Sequence, residues 1–268
     1  MILAVDTGGA KTLVALINER GEIVRKERFL TPTNQSEYVT TLRDVVMTQF
    51  NDRRIKSAYV ALPGIVRDGV AVWCNNLGWS DFDAQKALKG MIDGPIFIEN
   101  DANLAALAEA HALSPVPRSL LYVTIGAGIS TGIITDGYID PGLRYSEGGR
   151  TLVEFDGVVR EWESFASGKA IHEVYGRFAA DITSKRIWYQ IAVRISRGLL
   201  ATIPVLQPDT IVIGGNIGTY FGRFAPELEA LLIEKLPPHI PCPKILKAAH
   251  PEEAVIYGCY QYAKQQSA

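Results

Sequence analysis

Residues 6–12 (DTGGAKT) bring a carboxylate, two glycines, a lysine and two hydroxyls into one short segment. Glycines let backbone N–H groups approach an anion closely, and Lys11 adds positive charge. Because a phosphate would repel the Asp6 carboxylate, we expect a divalent cation between them, and Mg²⁺ prefers such oxygen ligands. The segment predicts a phosphate cradle, with an ordinary tight hairpin turn as the alternative.

A second glycine-rich stretch, residues 120–140, repeats the layout of residues 2–22. Each reads as an apolar strand, a glycine-rich turn with a hydroxyl, a second apolar strand and a polar turn. Their spacing of about 118 residues favours a duplicated lobe over a solenoid, whose repeats are far shorter. A cleft between two such lobes would face both glycine turns toward one ligand.

These turns do not fit the two most familiar nucleotide motifs. A P-loop requires glycine directly before its Lys-Ser/Thr pair, and residue 10 is alanine. The dinucleotide fingerprint needs a third glycine where the sequence has Thr131. A further glycine turn, residues 214–218, follows the apolar run 210–213. Ligands bind at such strand ends in α/β sheets, and a plain strand-to-helix connection is the alternative.

Residues 99–103 (ENDAN) precede an alanine-rich segment with helical character. Asp101 or Asn100 is placed to cap that helix. Three adjacent acid or amide residues exceed what one cap requires, and Asn beside Asp can hydrogen-bond the neighbouring hydroxyls of a polyol. A helix N-terminus keeps Asp101 ionised, which suits a base that accepts a hydroxyl proton. A plain N-cap is the alternative.

Alternating strands and helices are predicted to position these motifs. Apolar, β-branched runs predict strands at 2–5, 12–17, 57–62, 95–98, 120–125, 131–135 and 210–213. Helical periodicity predicts helices at 37–50, 102–113, 167–180, 185–203 and 225–236. This alternation is typical of an α/β protein with helix-covered sheets. The Pro-containing segment 114–118 predicts a boundary between lobes at 1–113 and 114–251, the first completed by a C-terminal helix at 252–266.

Composition indicates a globular cytoplasmic protein. The 268 residues are 47% hydrophobic and 21% charged, with a net charge of −2, which gives no indication of nucleic-acid or membrane partners. Three scattered cysteines lack metal-ligand spacing and predict a reducing compartment. We find no signal-peptide pattern and no apolar stretch of the ~18–20 residues that a membrane span needs.

Six segments, in order along the chain, resemble motifs of the ROK family of sugar kinases. They are DTGGAKT (6–12), ALPGIV (61–66), NNLGW (75–79), ENDAN (99–103), TIGAGISTG (124–132) and VIGGNIG (212–218). The resemblance implies a two-lobed, actin-like ATPase fold (hexokinase-type, ribonuclease H-like) with a cleft between the lobes. It also implies ATP-dependent phosphorylation of a hexose or hexose derivative, with Mg²⁺ as cofactor and a homodimer as an inherited expectation.

The resemblance also assigns roles, with Asp101 as the catalytic base. The substrate-binding residues that it implies are Gly64, Asn76, Asn100, Asp101, Glu147, Arg150 and Glu163. The ATP-binding residues that it implies are Asp6, Gly8, Gly9, Lys11, Thr12, Thr124, Gly126, Ala127, Gly128, Gly214, Gly215 and Asn216. Asp6 is expected to hold Mg²⁺ through water.

Two departures from the family pattern concern the sugar side. Arg150 stands where the family's Glu-x-Gly-His motif has histidine, and residues 152–162 contain no cysteine where the family has a zinc loop. We therefore expect no zinc, because thiolate ligands are absent there. Arg150 could bind a sugar hydroxyl, recognise a carboxylate or phosphate on an atypical substrate, or point to solvent. A polyphosphate-dependent glucokinase and a non-catalytic sugar-binding ROK protein are the alternative functions.

Overall fold

The computed structural model describes residues 1–50, 55–250 and 253–266. The chain divides into two compact units: unit 1 is Met1–Ala108 with Glu253–Ala268, and unit 2 is Glu109–Glu252. The predicted boundary at 251/252, where the C-terminal helix was expected to begin, lies outside the described residues. Within the described ranges, no helix combines the length and apolarity needed to cross a bilayer.

The described residues of unit 1 form two sheets and four α-helices. Its strands are β1 (Ile2–Thr7), β2 (Lys11–Ile17), β3 (Ile23–Leu30), β4 (Ser57–Leu62), β5 (Ile65–Arg67), β6 (Val70–Cys74), β7 (Trp79–Asp83) and β8 (Ile96–Asn100). Its helices are α1 (Gln35–Gln49), α2 (Ala84–Ala87), α3 (Asp101–His111, which runs past Ala108) and the C-terminal helix Ala254–Gln266. The main sheet has the order β3-β2-β1-β4-β8, and β5, β6 and β7 form a smaller antiparallel sheet.

The strands β1, β2 and β4 of the main sheet in unit 1 are buried on both faces, which explains their nearly continuous apolar sequences. Because side chains alternate along a strand, Leu3 and Val5 pack with Tyr38 of α1 on one face. Ala4 packs on the other face with the C-terminal helix, including Ile256. The parallel strands β1, β4 and β8 all end at the same edge, which collects their carboxyl-terminal residues.

Unit 2 repeats this plan around a second five-stranded sheet. Its strands are β9 (Ser119–Ile125), β10 (Ile129–Thr135), β11 (Tyr138–Ile139), β12 (Leu152–Phe155), β13 (Val158–Glu161), β14 (Thr210–Gly214) and β15 (Lys244–Lys247). Its helices are α4 (Glu163–Ala166), α5 (Gly168–Tyr175), α6 (Lys185–Leu206), α7 (Gly215–Gly218) and α8 (Ala225–Lys235); the C-terminal helix of unit 1 is therefore α9. The sheet order is β11-β10-β9-β14-β15, and β12 pairs with β13 in a separate hairpin.

The core of unit 2 packs α6 against the sheet and against Trp162. Val123 of β9 and Ile195 of α6 are fully buried in one apolar cluster with Trp162. A Cβ at Gly198 would lie 1.9 Å from the Trp162 ring, so glycine there lets the indole lie directly on the helix. This contact fixes the chain immediately before Glu163.

Glu109 ties the beginning of unit 2 to its end. Its side chain is 2% exposed. Oε2 accepts a hydrogen bond from the Ala249 backbone N–H at 2.6 Å, and Oε1 accepts one from the His250 N–H at 2.8 Å. The two places where the unit's chain begins and ends are therefore held by a single carboxylate.

The seven predicted strands are confirmed as β1, β2, β4, β8, β9, β10 and β14, each within two residues at its ends. The helix predicted at 167–180 is wrong in its length. Gly176 ends α5 in the left-handed conformation (φ 62°), and its N–H bonds to the His172 carbonyl. The other strands were missed because they are short or, like β3, mostly exposed and charged.

Candidate active site

The first glycine turn joins β1 to β2 in unit 1. The Gly8 N–H donates to the Lys11 carbonyl at 3.0 Å, and the Thr31 hydroxyl donates to the Gly8 carbonyl at 2.8 Å. Gly9 and Lys11 are exposed on this turn. Thr12 is instead fully buried, with its hydroxyl 2.9 Å from that of Thr31. The Thr12 side chain therefore braces the turn from inside, while the outer surface of the turn offers backbone groups and a lysine.

Asp6 lies near the carboxyl end of β1 and is half-buried. Desolvation raises the pKa of its carboxyl to about 6, and the positive charge of Arg28 partly opposes this shift. A divalent cation would relieve the cost of the buried negative charge, so Asp6 fits the predicted Mg²⁺ role. No group of three or more His, Cys, Asp and Glu side chains suited to a metal occurs among the described residues. Phosphate oxygens and water would have to supply the other ligands.

The predicted sugar segments of unit 1 lie beside the first glycine turn. The Asn100 amide donates to the Gly64 carbonyl at 2.7 Å. Gly64 has φ 82°, and a Cβ there would lie 2.1 Å from the Trp73 carbonyl oxygen, so no other residue fits. Asn76 is exposed on a 3-10 turn, and a Cβ at Gly9 would lie 3.3 Å from its Cβ. The structure therefore brings a predicted sugar residue next to a predicted phosphate turn.

Asn100, not Asp101, caps α3. The Asn100 Oδ1 accepts from the Asn103 N–H at 2.9 Å, which is the capping bond. Glu99 supports it, because its Oε1 accepts from the Asn100 N–H at 2.8 Å and from the Asn103 side chain at 3.1 Å. These three residues are buried, whereas Asp101 is half-buried. Its Oδ1 accepts from the Ala102 N–H at 2.8 Å at the amino end of the helix.

The second glycine turn joins β9 to β10 in unit 2. Its Gly126 N–H donates to the Gly128 carbonyl at 2.9 Å. A Cβ at Gly126 would meet no protein atom within 4 Å, so this position opens onto free space. Ala127 is exposed at the tip, and Thr124 is half-buried on β9. The Gly168 N–H at the start of α5 donates to the Gly126 carbonyl at 2.7 Å.

The third glycine turn packs directly onto β9. Gly215 has φ 75°, and a Cβ there would lie 2.6 Å from the Ile125 carbonyl oxygen. A Cβ at Gly214 would lie 2.3 Å from the Tyr122 hydroxyl. Asn216 follows, exposed, in α7. The structure thus brings the second and third turns together, and it adds Gly168, which the sequence reasoning missed although the Ser-Gly pair at 167–168 signalled a helix start.

Glu147, Arg150 and Glu163 form one charged cluster with Glu161. Arg150 Nη2 lies 3.1 Å from Glu163 Oε1, and Arg150 Nη1 pairs with Glu161 Oε2. Glu163 Oε2 also accepts from the Ile129 N–H at 3.1 Å. Arg150 is therefore paired with carboxylates and does not simply point to solvent. Glu161 was missed, because no motif marks it.

Glu147 lies at the start of the 3-10 turn that carries Arg150. Desolvation raises the pKa of the Glu147 carboxyl; Arg150 lowers it and the charge of Glu163 raises it further. The turn is fixed against β10, since the Gly148 N–H donates to the Thr131 hydroxyl at 3.0 Å. The cluster therefore presents several carboxylate acceptors, which suit a ligand rich in hydroxyl donors.

A model of the ROK family matches residues 2–266. N-acetylmannosamine kinase from Escherichia coli (strain SMS-3-5 / SECEC) is 30% identical over 250 residues, 83% of this chain and 85% of the relative. Fructokinase from Lactococcus lactis subsp. cremoris is 25% identical over 233 residues, 80% of this chain and 78% of the relative.

Three solved structures resemble the whole chain. A ROK family glucokinase from Streptomyces griseus, in complex with glucose and AMPPNP, has TM-score 0.83 and 20% identity, covering 98% of this chain and 99% of its own. An inorganic polyphosphate/ATP-glucomannokinase from Arthrobacter sp. strain KM has TM-score 0.78 and 23% identity, covering 99% and 98%. A ROK family transcriptional regulator, homologous to the E. coli MLC protein, has TM-score 0.79 and 19% identity, covering 100% and 81%. The shared fold is the two-lobed actin-like ATPase fold.

Proposed function

The chain belongs to the ROK family and is a carbohydrate kinase, and we propose that it transfers the terminal phosphoryl group of ATP to a hydroxyl of a hexose or hexose derivative. One observation carries the proposed mechanism: Asn100 caps α3, so the capping role is filled without the Asp101 carboxylate. Asp101 is then suited to chemistry at a helix N-terminus.

In the proposed mechanism, Asp101 accepts the proton of the attacking hydroxyl. The N-terminal end of α3 favours the ionised carboxylate, which is the form that a base requires. Phosphoryl transfer has a loose transition state, so orienting the hydroxyl contributes more than basicity. Asn76, Asn100, Glu147 and Glu163 would orient the sugar as hydrogen-bonding partners, with the backbone at Gly64 beside them.

The glycine turns are proposed to bind the phosphates of ATP. Backbone N–H groups stabilise the charge on phosphate oxygens, and the open space at Gly126 would admit them closely. Lys11 adds a positive charge on the first turn. Mg²⁺, held by Asp6 through water, would neutralise charge on the transferring group. Gly214, Gly215 and Asn216 would lie on the adenosine side.

We propose the acceptor and the donor from the similar proteins. The relatives act on N-acetylmannosamine and fructose, and a structural neighbour binds glucose, so we propose a hexose or N-acylhexosamine. Similarity to a polyphosphate/ATP-glucomannokinase supports polyphosphate as an alternative donor. Similarity to a regulator supports a non-catalytic sugar-binding protein as the other alternative. The carboxylates at Asp6 and Asp101 favour a catalytic protein over a non-catalytic sugar-binding one.

A coupled assay of ADP release over a sugar panel tests this function. We expect sugar-dependent turnover that needs Mg²⁺, and a loss of about 10²- to 10⁴-fold in kcat for Asp101→Asn. Asp44→Asn makes the same chemical change on the exposed side of α1 and should keep full activity. Replacing ATP by polyphosphate separates the two donors. Full activity in Asp101→Asn would refute the base, and sugar binding without turnover would support the sensor.

Four further expectations belong to this proposal. A cytoplasmic location without nucleic-acid or membrane partners is proposed from the charge and composition. A homodimer and the division into lobes at 1–113 and 114–251 are carried over from the family resemblance and the sequence pattern. Zinc is not expected, because residues 152–162 offer no thiolate.

A further inference from the structure

Arg150 pairs with two carboxylates, those of Glu161 and Glu163, which flank Trp162 in the sequence. Its Nη1 pairs with Glu161, and its Nη2 lies 3.1 Å from Glu163. The Arg150 side chain is 29% exposed. A guanidinium presents its donors in a rigid planar fork, so one arginine can hold two acceptors in fixed directions.

The fold of the β12–β13 hairpin brings both carboxylates to Arg150. In the β12–β13 hairpin, Leu152 pairs with Glu161, which returns the chain to the level of Arg150. The Trp162 N–H then donates to the Thr151 carbonyl at 2.9 Å, and its ring is buried against α6. Glu163 follows as the first residue of α4. A hairpin closed by a buried anchor thus delivers both carboxylates to the same arginine.

The charges of this cluster do not favour an anionic ligand. Glu147, Glu161 and Glu163 carry three potential negative charges, and the electrostatic effects on Glu147 come from both Arg150 and Glu163. Arg150 supplies one positive charge that two carboxylates already share. A carboxylate or phosphate on an incoming sugar would meet more negative than positive charge. Hydroxyl donors, in contrast, would find carboxylate oxygens directed by the arginine.

We propose that Arg150 is a positioning residue that holds Glu163 in place to accept hydrogen bonds from an uncharged sugar, and that Glu161 anchors Arg150. The inference rests on the proposed function, in which Glu163 contacts the sugar. It gives Arg150 a role different from the three that the sequence left open, and it assigns a role to Glu161. It also narrows the acceptor to uncharged hexoses, as opposed to sugar acids.

Calorimetric titration of sugars without ATP, followed by steady-state kinetics, tests the proposal. The probes are glucose, fructose and N-acetylmannosamine, with the sugar acids glucuronate and galacturonate as charged probes. The wild-type chain should bind an uncharged sugar and neither charged one. Arg150→Gln should weaken that binding and raise KM for the sugar by about tenfold or more, the effect of losing a charged hydrogen bond. KM for ATP should not change.

Two more variants and one control separate positioning from general stability. Arg150→Lys keeps the charge without the fork and should restore only part of the affinity. Glu161→Gln should raise the sugar KM a few-fold, since Arg150 loses its anchor. Arg197→Gln, at an exposed arginine of α6, should match the wild type. Melting temperatures identify any variant that fails to fold.

Three results would contradict the positioning role of Arg150. Binding of glucuronate or galacturonate that is tighter than that of the uncharged sugars, and that Arg150→Gln abolishes, would make Arg150 an anion receptor. An unchanged sugar KM in both Arg150→Gln and Glu161→Gln would remove the positioning role while the kinase function stands. A wild-type chain that neither binds nor phosphorylates any sugar would overturn the proposed function and this inference with it.

Discussion

At the start of α3, two adjacent residues have separate tasks. Asn100 uses its side-chain oxygen for the helix cap and its nitrogen for the Gly64 carbonyl. Asp101 stands one position later, less buried, where the helix N-terminus favours negative charge. Asn100 therefore fixes the start of the helix that carries the proposed base. It can be substituted without changing the Asp101 carboxylate.

Stability measurements on this pair should show the division. Asn100→Ala removes a cap and a second hydrogen bond, so we expect the free energy of unfolding to fall by about 1–3 kcal/mol. Asp101→Asn should change it by less than about 1 kcal/mol while activity collapses. Denaturant unfolding monitored by circular dichroism provides the comparison. A larger stability loss in Asp101→Asn than in Asn100→Ala would mean that Asp101 is the structural residue.

The raised pKa of Asp6 predicts that the stability of the protein depends on pH. Its folded-state pKa is raised to about 6, so the folded chain holds the proton more tightly than the unfolded chain does. The contribution of Asp6 to stability therefore falls as pH rises from about 4 to about 6 and stays unfavourable above that. The full pKa shift corresponds to a change of at most about 3 kcal/mol in the free energy of unfolding. The change is smaller in practice, because the half-buried Asp6 carboxylate is in contact with solvent.

The matched variant is Asp6→Asn, which cannot ionise. Without nucleotide and divalent cations, its unfolding free energy should exceed that of the wild type above pH 6. The difference should vanish near pH 4. Urea unfolding at several pH values measures it, and a difference that does not vary with pH would contradict the raised pKa.

At the scale of elements, the glycine turns differ in what their glycines are for. Gly215 needs its left-handed φ and its contact with β9, whereas a Cβ at Gly126 would meet no protein atom within 4 Å. The first is required by the fold, and the second faces open space that a ligand can use. This distinction follows from the packing and could not be predicted from the sequence, in which both turns are simply glycine-rich.

Alanine at each position should separate these roles. Gly215→Ala should lower the unfolding free energy by about 1–3 kcal/mol or more, because of strain and overlap with Ile125. Gly126→Ala should keep its melting temperature but raise KM for ATP by about tenfold, as its methyl group enters the phosphate space. Gly222→Ala, also in open space but in a 3-10 turn after α7, is the control and should change neither. A normal ATP KM in Gly126→Ala would exclude that turn from nucleotide binding.

How far the sequence predicts these elements depends on how buried they are. β1, β4, β9 and β14 are apolar on both faces, and their boundaries were predicted within two residues. The β12–β13 hairpin was missed although Asp156 and Gly157, with φ 55° and 77°, form the two-residue turn that an Asp-Gly pair favours. Glu161 was missed because its role depends on the register of this hairpin. The motif residues could be located from their residue types and their order in the sequence. The residues that they contact could be identified only from the structure.

At the scale of the molecule, each unit has a core of its own. Ile256 of α9 is buried with Ala4 and Leu104 in unit 1, and Ile195 of α6 is buried with Val123 in unit 2. We expect the units to respond separately to core damage, because cooperative unfolding follows local packing.

Hydrogen exchange with mass spectrometry tests this independence. Ile256→Ala should cost about 2–5 kcal/mol and accelerate exchange in β1 and β4, leaving β9 and β14 as in the wild type. Ile195→Ala is the matched change and should have the opposite pattern. Accelerated exchange in both sheets from either variant would show that the chain unfolds as one cooperative block.

The Glu109 contact has a consequence for the gene. Codons 109–252 encode unit 2 as one uninterrupted stretch, and Glu109 holds the Ala249 and His250 backbone close to where that stretch begins. A segment whose ends are adjacent can be copied, exchanged or circularly permuted as a single cassette without rerouting the chain around it. Recombination between related genes at these two junctions would therefore combine unit 1 of one protein with unit 2 of another, each with its own ligand preference. Glu109 would have to be kept at the junction, because it holds the two ends of unit 2 together.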